Sequence, residues 1–213
     1  MLSGISTGKH IGGPVDTATT PTPPDSEASD DANERELILS ASERIFAELG
    51  VIGSTLDHIA SDAGLSRATV LKHFANKREL VVVYVQRWAG ARRAEAERAR
   101  DAHHGDPRAV LMDAAGLLDQ PSGAVPGRSW VHFAAEMVGS HPVRALVVEL
   151  RHWYVAFLAA ELRKLGHRNP DATAAALLML HTGAMTADAL EGVSPDSTRE
   201  AQRLYALVID NVE

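Results

Sequence analysis

The stretch TLDHIASDAGLSRATVLKHFANK, Thr55 to Lys77, decides how this chain is read. It divides into two short helical patterns separated by a turn. Thr55 is placed to cap the first, because its side chain can accept the free N–H groups of a first helical turn. Leu56, Ile59 and Ala60 then recur at helical spacing on one face. Ala63-Gly64-Leu65 interrupts the pattern, and Gly64 suits a left-handed C-terminal position where a Cβ would be strained. Ser66 caps the second helix, whose inner side carries Val70 and Phe74 with Leu71 beside them. Two helices joined by a short Gly-containing turn are the signature of a helix-turn-helix. In that motif the second helix enters the DNA major groove and the first crosses the backbone.

Working outward, Leu37, Ile38, Ala41, Ile45, Phe46 and Leu49 predict a helix from about Asp31, stopped by Gly50. After Phe74, Asn76 can cap a further helix that starts at Lys77 and runs through Leu80 to Val85. Apolar residues on all its sides predict burial all round, as where a helix threads between two domains. Its continuation, Arg92 to Arg100, is rich in Ala, Glu and Arg and predicts a solvated surface with intrahelical ion pairs.

His103 to Pro107 forms a loop, and Pro107 suits the first turn of the next helix. A helix carrying Trp130, Phe133 and Met137 follows a Pro/Gly loop at 121–127 and ends at Gly139. A long apolar stripe from Val143 to Leu165 ends at Gly166. An Ala-rich helix over about 171–190 has small residues at Ala176, Gly183, Ala184 and Ala187, which permit close approach of another helix. The last helix spans about 196–212. No period-two strand pattern occurs. The expected fold is all-α, with about nine helices and no repeat.

The expected division is a disordered tail over 1–30, a helix-turn-helix domain over 31–80 and a helical ligand-binding and dimerisation domain over 81–213. The tail is rich in Gly, Thr, Pro, Ser and Asp and poor in Lys and Arg, so it can neutralise few phosphates.

Composition narrows the function further. The 213 residues include no cysteine, which excludes disulfides, thiolate chemistry and Cys-ligated zinc. No apolar run approaches the roughly 18 residues of a membrane span, and the first residues lack a signal-peptide segment. A soluble cytoplasmic protein is expected. The net charge of −7 is unevenly spread. Residues 1–36 hold Asp16, Asp25, Glu27, Asp30, Asp31, Glu34 and Glu36 against Lys9 and Arg35, a net −5. Residues 55–78 hold Arg67, Lys72, Lys77 and Arg78 against Asp57 and Asp62, a net +2. A modestly basic module inside an acidic chain is compatible with DNA binding.

These residues together resemble the N-terminal domain of the tetracycline-repressor (TetR) family. The resemblance rests on Ala41…Ile45-Phe46-Ala47…Gly50, Ser54-Thr55-Leu56…Ile59-Ala60…Ala63-Gly64-Leu65-Ser66, Thr69-Val70…His73-Phe74 and Asn76-Lys77…Leu80, roughly a quarter of the chain. The later helices match the family in number, length and order. The resemblance implies a homodimeric transcriptional repressor that binds a palindromic operator of double-stranded DNA. The implied DNA-contacting residues are Thr55, Ser66, Arg67, Ala68, Thr69, Lys72, His73 and Lys77. Helix N-termini there offer free N–H groups to phosphates, and Lys adds charge. Arg67 is the best candidate for a bidentate contact to guanine. Leu71 stands where the family usually has a DNA-contacting Tyr; it either makes an apolar contact, as to a thymine methyl, or packs on a neighbouring helix.

The resemblance also implies dimerisation through the last two helices, 171–190 and 196–212, and release by a small, largely apolar effector. Met112, Trp130, Phe133, Met137, Trp153, Phe157 and His181 are candidates to line its pocket, though aromatic and Met residues at helical spacing are also ordinary core. His132 and Glu136 share a helix face but lack a third ligand at a defined spacing, so neither metal nor cofactor is expected. No Gly-x-Ser-x-Gly nucleophile stretch occurs and no catalytic residue is expected. The competing readings are a helical small-molecule-binding protein or enzyme with a vestigial helix-turn-helix, and a regulator without a small-molecule inducer.

Overall fold

The structure is a computed structural model that describes residues 24–119, 139–191 and 195–211. The described residues form eight α-helices and no strand: α1 Pro24–Gly53, α2 Leu56–Ala63, α3 Arg67–His73, α4 Lys77–Ala102, α5 Pro107–Asp119, α6 His141–Lys164, α7 Pro170–Glu191 and α8 Pro195–Asp210. The all-α expectation holds. The helix expected around Trp130 to Met137, with His132 and Glu136, lies outside the described residues. None of the described helices is long and apolar enough to cross a membrane.

Local chemistry sets the ends of the first four helices. Thr55, Ser66 and Asn76 each sit in extended backbone and accept an N–H from three residues on, those of His58, Thr69 and Glu79. Gly64 adopts φ 68°, ψ 25°, and its N–H closes α2 on the Ala60 and Ser61 carbonyls. Any Cβ would be strained there. Gly50 (φ 72°, ψ 168°) kinks α1 where the helix was expected to stop, and one further turn follows it. At its other end α1 begins at Pro24 rather than at about Asp31.

Two apolar cores lie along α4. The first joins α1, α2, α3 and the start of α4, with Ile38, Ile59, Val70, Phe74 and Leu80 all fully buried. Burying each of these side chains is worth roughly 1.5–3 kcal/mol. This core continues past residue 80 through Val81, Tyr84 and Val85, and it takes in Val143 from the first turn of α6. The second core joins the far half of α4 with α5, α6, α7 and α8. α4 and α6 therefore contribute to both.

The Ala/Glu/Arg half of α4 departs from the solvated surface expected of it. The intrahelical pairs are present, Arg92 to Glu95 and Arg100 to Glu97, each at 2.7 Å. However, Arg92 is 7% exposed, and Arg93 and Arg100 reach across to Glu149 and the fully buried Glu161 of α6. Ala96 and Ala99 share the buried face of α4 with Arg92, and their small side chains let the helix sit close to its neighbours, which carries Arg92 into the packing.

Candidate nucleic-acid interface

α3 is a seven-residue helix with one buried side. Val70 is fully buried, as is Phe74 just beyond its end, so the helix is fixed against α1, α2 and α4. The Arg35 guanidinium stacks 4.5 Å from the centre of the Phe74 ring, and its NH1 donates to the His73 carbonyl. Arg67, Ala68, Leu71 and Lys72 are exposed. Leu71 is 36% exposed and stands outside the core, which leaves its apolar surface available to a partner.

The polar residues divide into three groups. Thr55 and Ser66 are exposed and act as caps; Ser66 Oγ also shares a 2.8 Å hydrogen bond with the Thr69 hydroxyl. Arg67 and Lys72 project outward but meet carboxylates of the same unit. Arg67 Nε lies 3.3 Å from Asp57 Oδ1, and Lys72 Nζ lies 2.5 Å from Asp31 Oδ1 and 3.9 Å from Glu34 Oε2. Exposed ion pairs of this kind are worth about 0–1 kcal/mol, so both cations can be traded to a stronger anion.

His73 and Lys77 turn inward instead. The His73 side chain is 8% exposed and its Nε2 sits 2.8 Å from Glu34 Oε2. Lys77 Nζ donates to the carbonyls of Val51 and Ser54, at 2.5 and 2.6 Å, tying the start of α4 to the end of α1. The helical period placed both residues near the DNA-reading helix, but nothing local in the sequence pointed to their partners on α1 and the loop after it. Arg78, exposed in the first turn of α4, is a further cation of this unit that belonged to the basic stretch and was not singled out.

The candidate pocket residues are brought together in part. Met112, Trp153 and Phe157 belong to the second core. Trp153 stacks on Phe157 (5.3 Å, 26°) and meets Tyr154 edge-on (5.3 Å, 85°). Phe157 is 4% exposed and is covered by the Arg100 guanidinium at 4.2 Å, so it is a core residue, whereas Trp153 and Met112 are only partly buried. His181 is buried, and burial together with the nearby Arg92 charge lowers its pKa to about 4. Burial raises the Tyr154 hydroxyl to about 12, with Arg92 and Glu95 also acting on it. Trp130, Phe133 and Met137 lie outside the described residues. The polar members of this region, Arg92 and Glu95, escaped the sequence reading because they sit in a run with the composition of a surface helix.

The family of bacterial regulatory proteins, tetR family, matches residues 38–83, the segment from mid-α1 into α4. Residues 38–83 are a TetR-family domain. The rest of the chain is similar to TetR-family structures in fold. A TetR-family transcriptional regulator from Streptomyces coelicolor is 25% identical, with a TM-score of 0.76 over 85% of this chain and 96% of that one. A putative transcriptional regulator from Saccharomonospora viridis in complex with choline is 22% identical, with a TM-score of 0.70 over 84% and 97%. Reduced NemR of E. coli is 17% identical, with a TM-score of 0.70 over 81% and 95%. No curated protein sequence matches. The chain thus has the fold of a TetR-family transcriptional regulator, with its helix-turn-helix at α2–α3.

Proposed function

We propose that the chain is a cytoplasmic, homodimeric transcriptional repressor, not an enzyme, that binds a palindromic operator through α3 and is released by a small, largely apolar effector. The observation that carries this reading is α3 itself, a capped helix fixed by Val70 on one side and presenting Arg67, Ala68, Leu71 and Lys72 on the other. In this reading the N-terminal turns at Thr55 and Ser66 meet phosphates with their free N–H groups. Arg67 reads a guanine edge, Ala68 and Thr69 pack against bases, and Leu71 meets a thymine methyl. Lys72 exchanges its carboxylate for a phosphate. His73 and Lys77 serve mainly from behind, by holding α3 and α4 in place.

The effector would lie near Met112, Trp153 and His181, with Phe157 as its floor. Val143 of α6 packs in the first core while Leu150 to Leu162 pack in the second, so a ligand that shifts α6 acts on the reading unit directly. Such a ligand must bind the two states with different affinity.

The test is a band-shift titration of the purified full-length dimer on the DNA flanking its own gene, at several salt concentrations. Tight, salt-sensitive binding is expected. Arg67→Ala should relax base preference at one position of each half-site, at a cost of about 1–3 kcal/mol on the preferred sequence. No binding at low salt would overturn the proposal and favour a carrier or enzyme with a vestigial helix-turn-helix.

A further inference from the structure

Asp31 and Glu34 lie three residues apart on α1, so their carboxylates share one face. The end of α3 brings the His73 ring to the same place. One oxygen from each acid and one ring nitrogen all lie within 4.8 Å of one another. The His73 side chain is almost fully buried, and the Arg35 bond to its backbone carbonyl helps to hold the end of α3 against α1. The cluster also gathers a cation, since the Lys72 ammonium sits on both acids.

We propose that Asp31, Glu34 and His73 form a binding site for a divalent first-row transition ion, which bridges α1 to the reading helix and displaces Lys72. A zinc-like ion at about 2.0–2.2 Å from each ligand sets its donors roughly 3.3–3.6 Å apart. His73 Nε2 must therefore give up its 2.8 Å hydrogen bond to Glu34 and the wider-spaced donors must draw in, with water completing the shell. One imidazole and two carboxylates form a mixed nitrogen–oxygen set suited to zinc, manganese or iron, with no thiolate required. The ion takes over the two negative charges that Lys72 now satisfies. Lys72, already 58% exposed, is released to the face of α3 that would meet DNA. The consequence for DNA rests on the function proposed above; ion binding itself does not.

The test begins with calorimetric titration of zinc into chelator-stripped, full-length protein. One ion per chain is expected, with affinity at least tenfold weaker in Asp31→Asn, Glu34→Gln and His73→Gln. Asp31 and Glu34 lie at the surface, so their variants report even if His73→Gln fails to fold. Absence of binding, or wild-type affinity in all three variants, would overturn the site. On DNA, zinc should steepen the salt dependence of wild-type binding by about 0.9 in log–log slope, one extra phosphate contact. The slope of Lys72→Ala should not change with zinc. Zinc binding without a change in the wild-type slope would overturn the release of Lys72. Failure to bind DNA with or without zinc would instead count against the proposed function and leave the ion titration standing.

Discussion

His181 shows how a single residue is reset by its surroundings. In an unfolded chain its imidazole titrates near 6.5, but buried in α7 beside the Arg92 charge it titrates near 4. The folded chain therefore binds fewer protons than the unfolded chain between those values, and stability rises with pH across that window. Above about 6.5 the residue adds no penalty. As pH falls from 7 to 5 the penalty grows to about 2 kcal/mol, because each pKa unit is worth 1.36 kcal/mol. Urea unfolding of wild type and His181→Gln at pH 7 and pH 5 should show the larger loss in wild type; equal losses would contradict it. The sequence placed His181 on an Ala-rich helix and marked it as a candidate pocket residue. It could not supply Arg92, 89 positions earlier, whose charge meets His181 only through the packing of α4 on α6 and α7.

Among elements, the joint between α1 and α4 depends on Lys77. Its ammonium satisfies the carbonyls of Val51 and Ser54 at the point where α1 ends after the Gly50 kink. Lys77→Met keeps the aliphatic stem but leaves those acceptors without their donor. A loss of about 1–3 kcal/mol in urea unfolding is expected, as for a partly buried hydrogen-bonding group deprived of its partner. A purely DNA-contacting lysine would leave stability unchanged. The caps at Thr55, Ser66 and Asn76 were legible in the sequence because each bond spans three residues. The Lys77 bonds span 23 and 26 residues and were not.

At the scale of the molecule, α7 and α8 leave apolar side chains uncovered. Met179 is 63% exposed, Leu204 41% and Leu207 67%, with Leu204 and Leu207 on one face of α8. The core side of α8 is already committed: Tyr205 Oη donates to the Leu177 carbonyl, Ile209 is buried, and Arg108 grips Asp210 with two bonds. The exposed face fits the four-helix dimer contact expected of these two helices. Light scattering should find wild type at twice 22.8 kDa and Leu207→Glu at 22.8 kDa. A Glu on a free surface would change stability by no more than about 0.5 kcal/mol and leave the mass as it was. By itself the sequence determined the all-α class, the caps, the helix-turn-helix and the family, because these follow from interactions within a few residues or from a local pattern. Only the tertiary structure decided that His73 and Lys77 face the protein, that Lys72 rests on Asp31, and that Arg92 is buried. Those pairings join helices far apart in sequence, and no local periodicity encodes which charge will meet which.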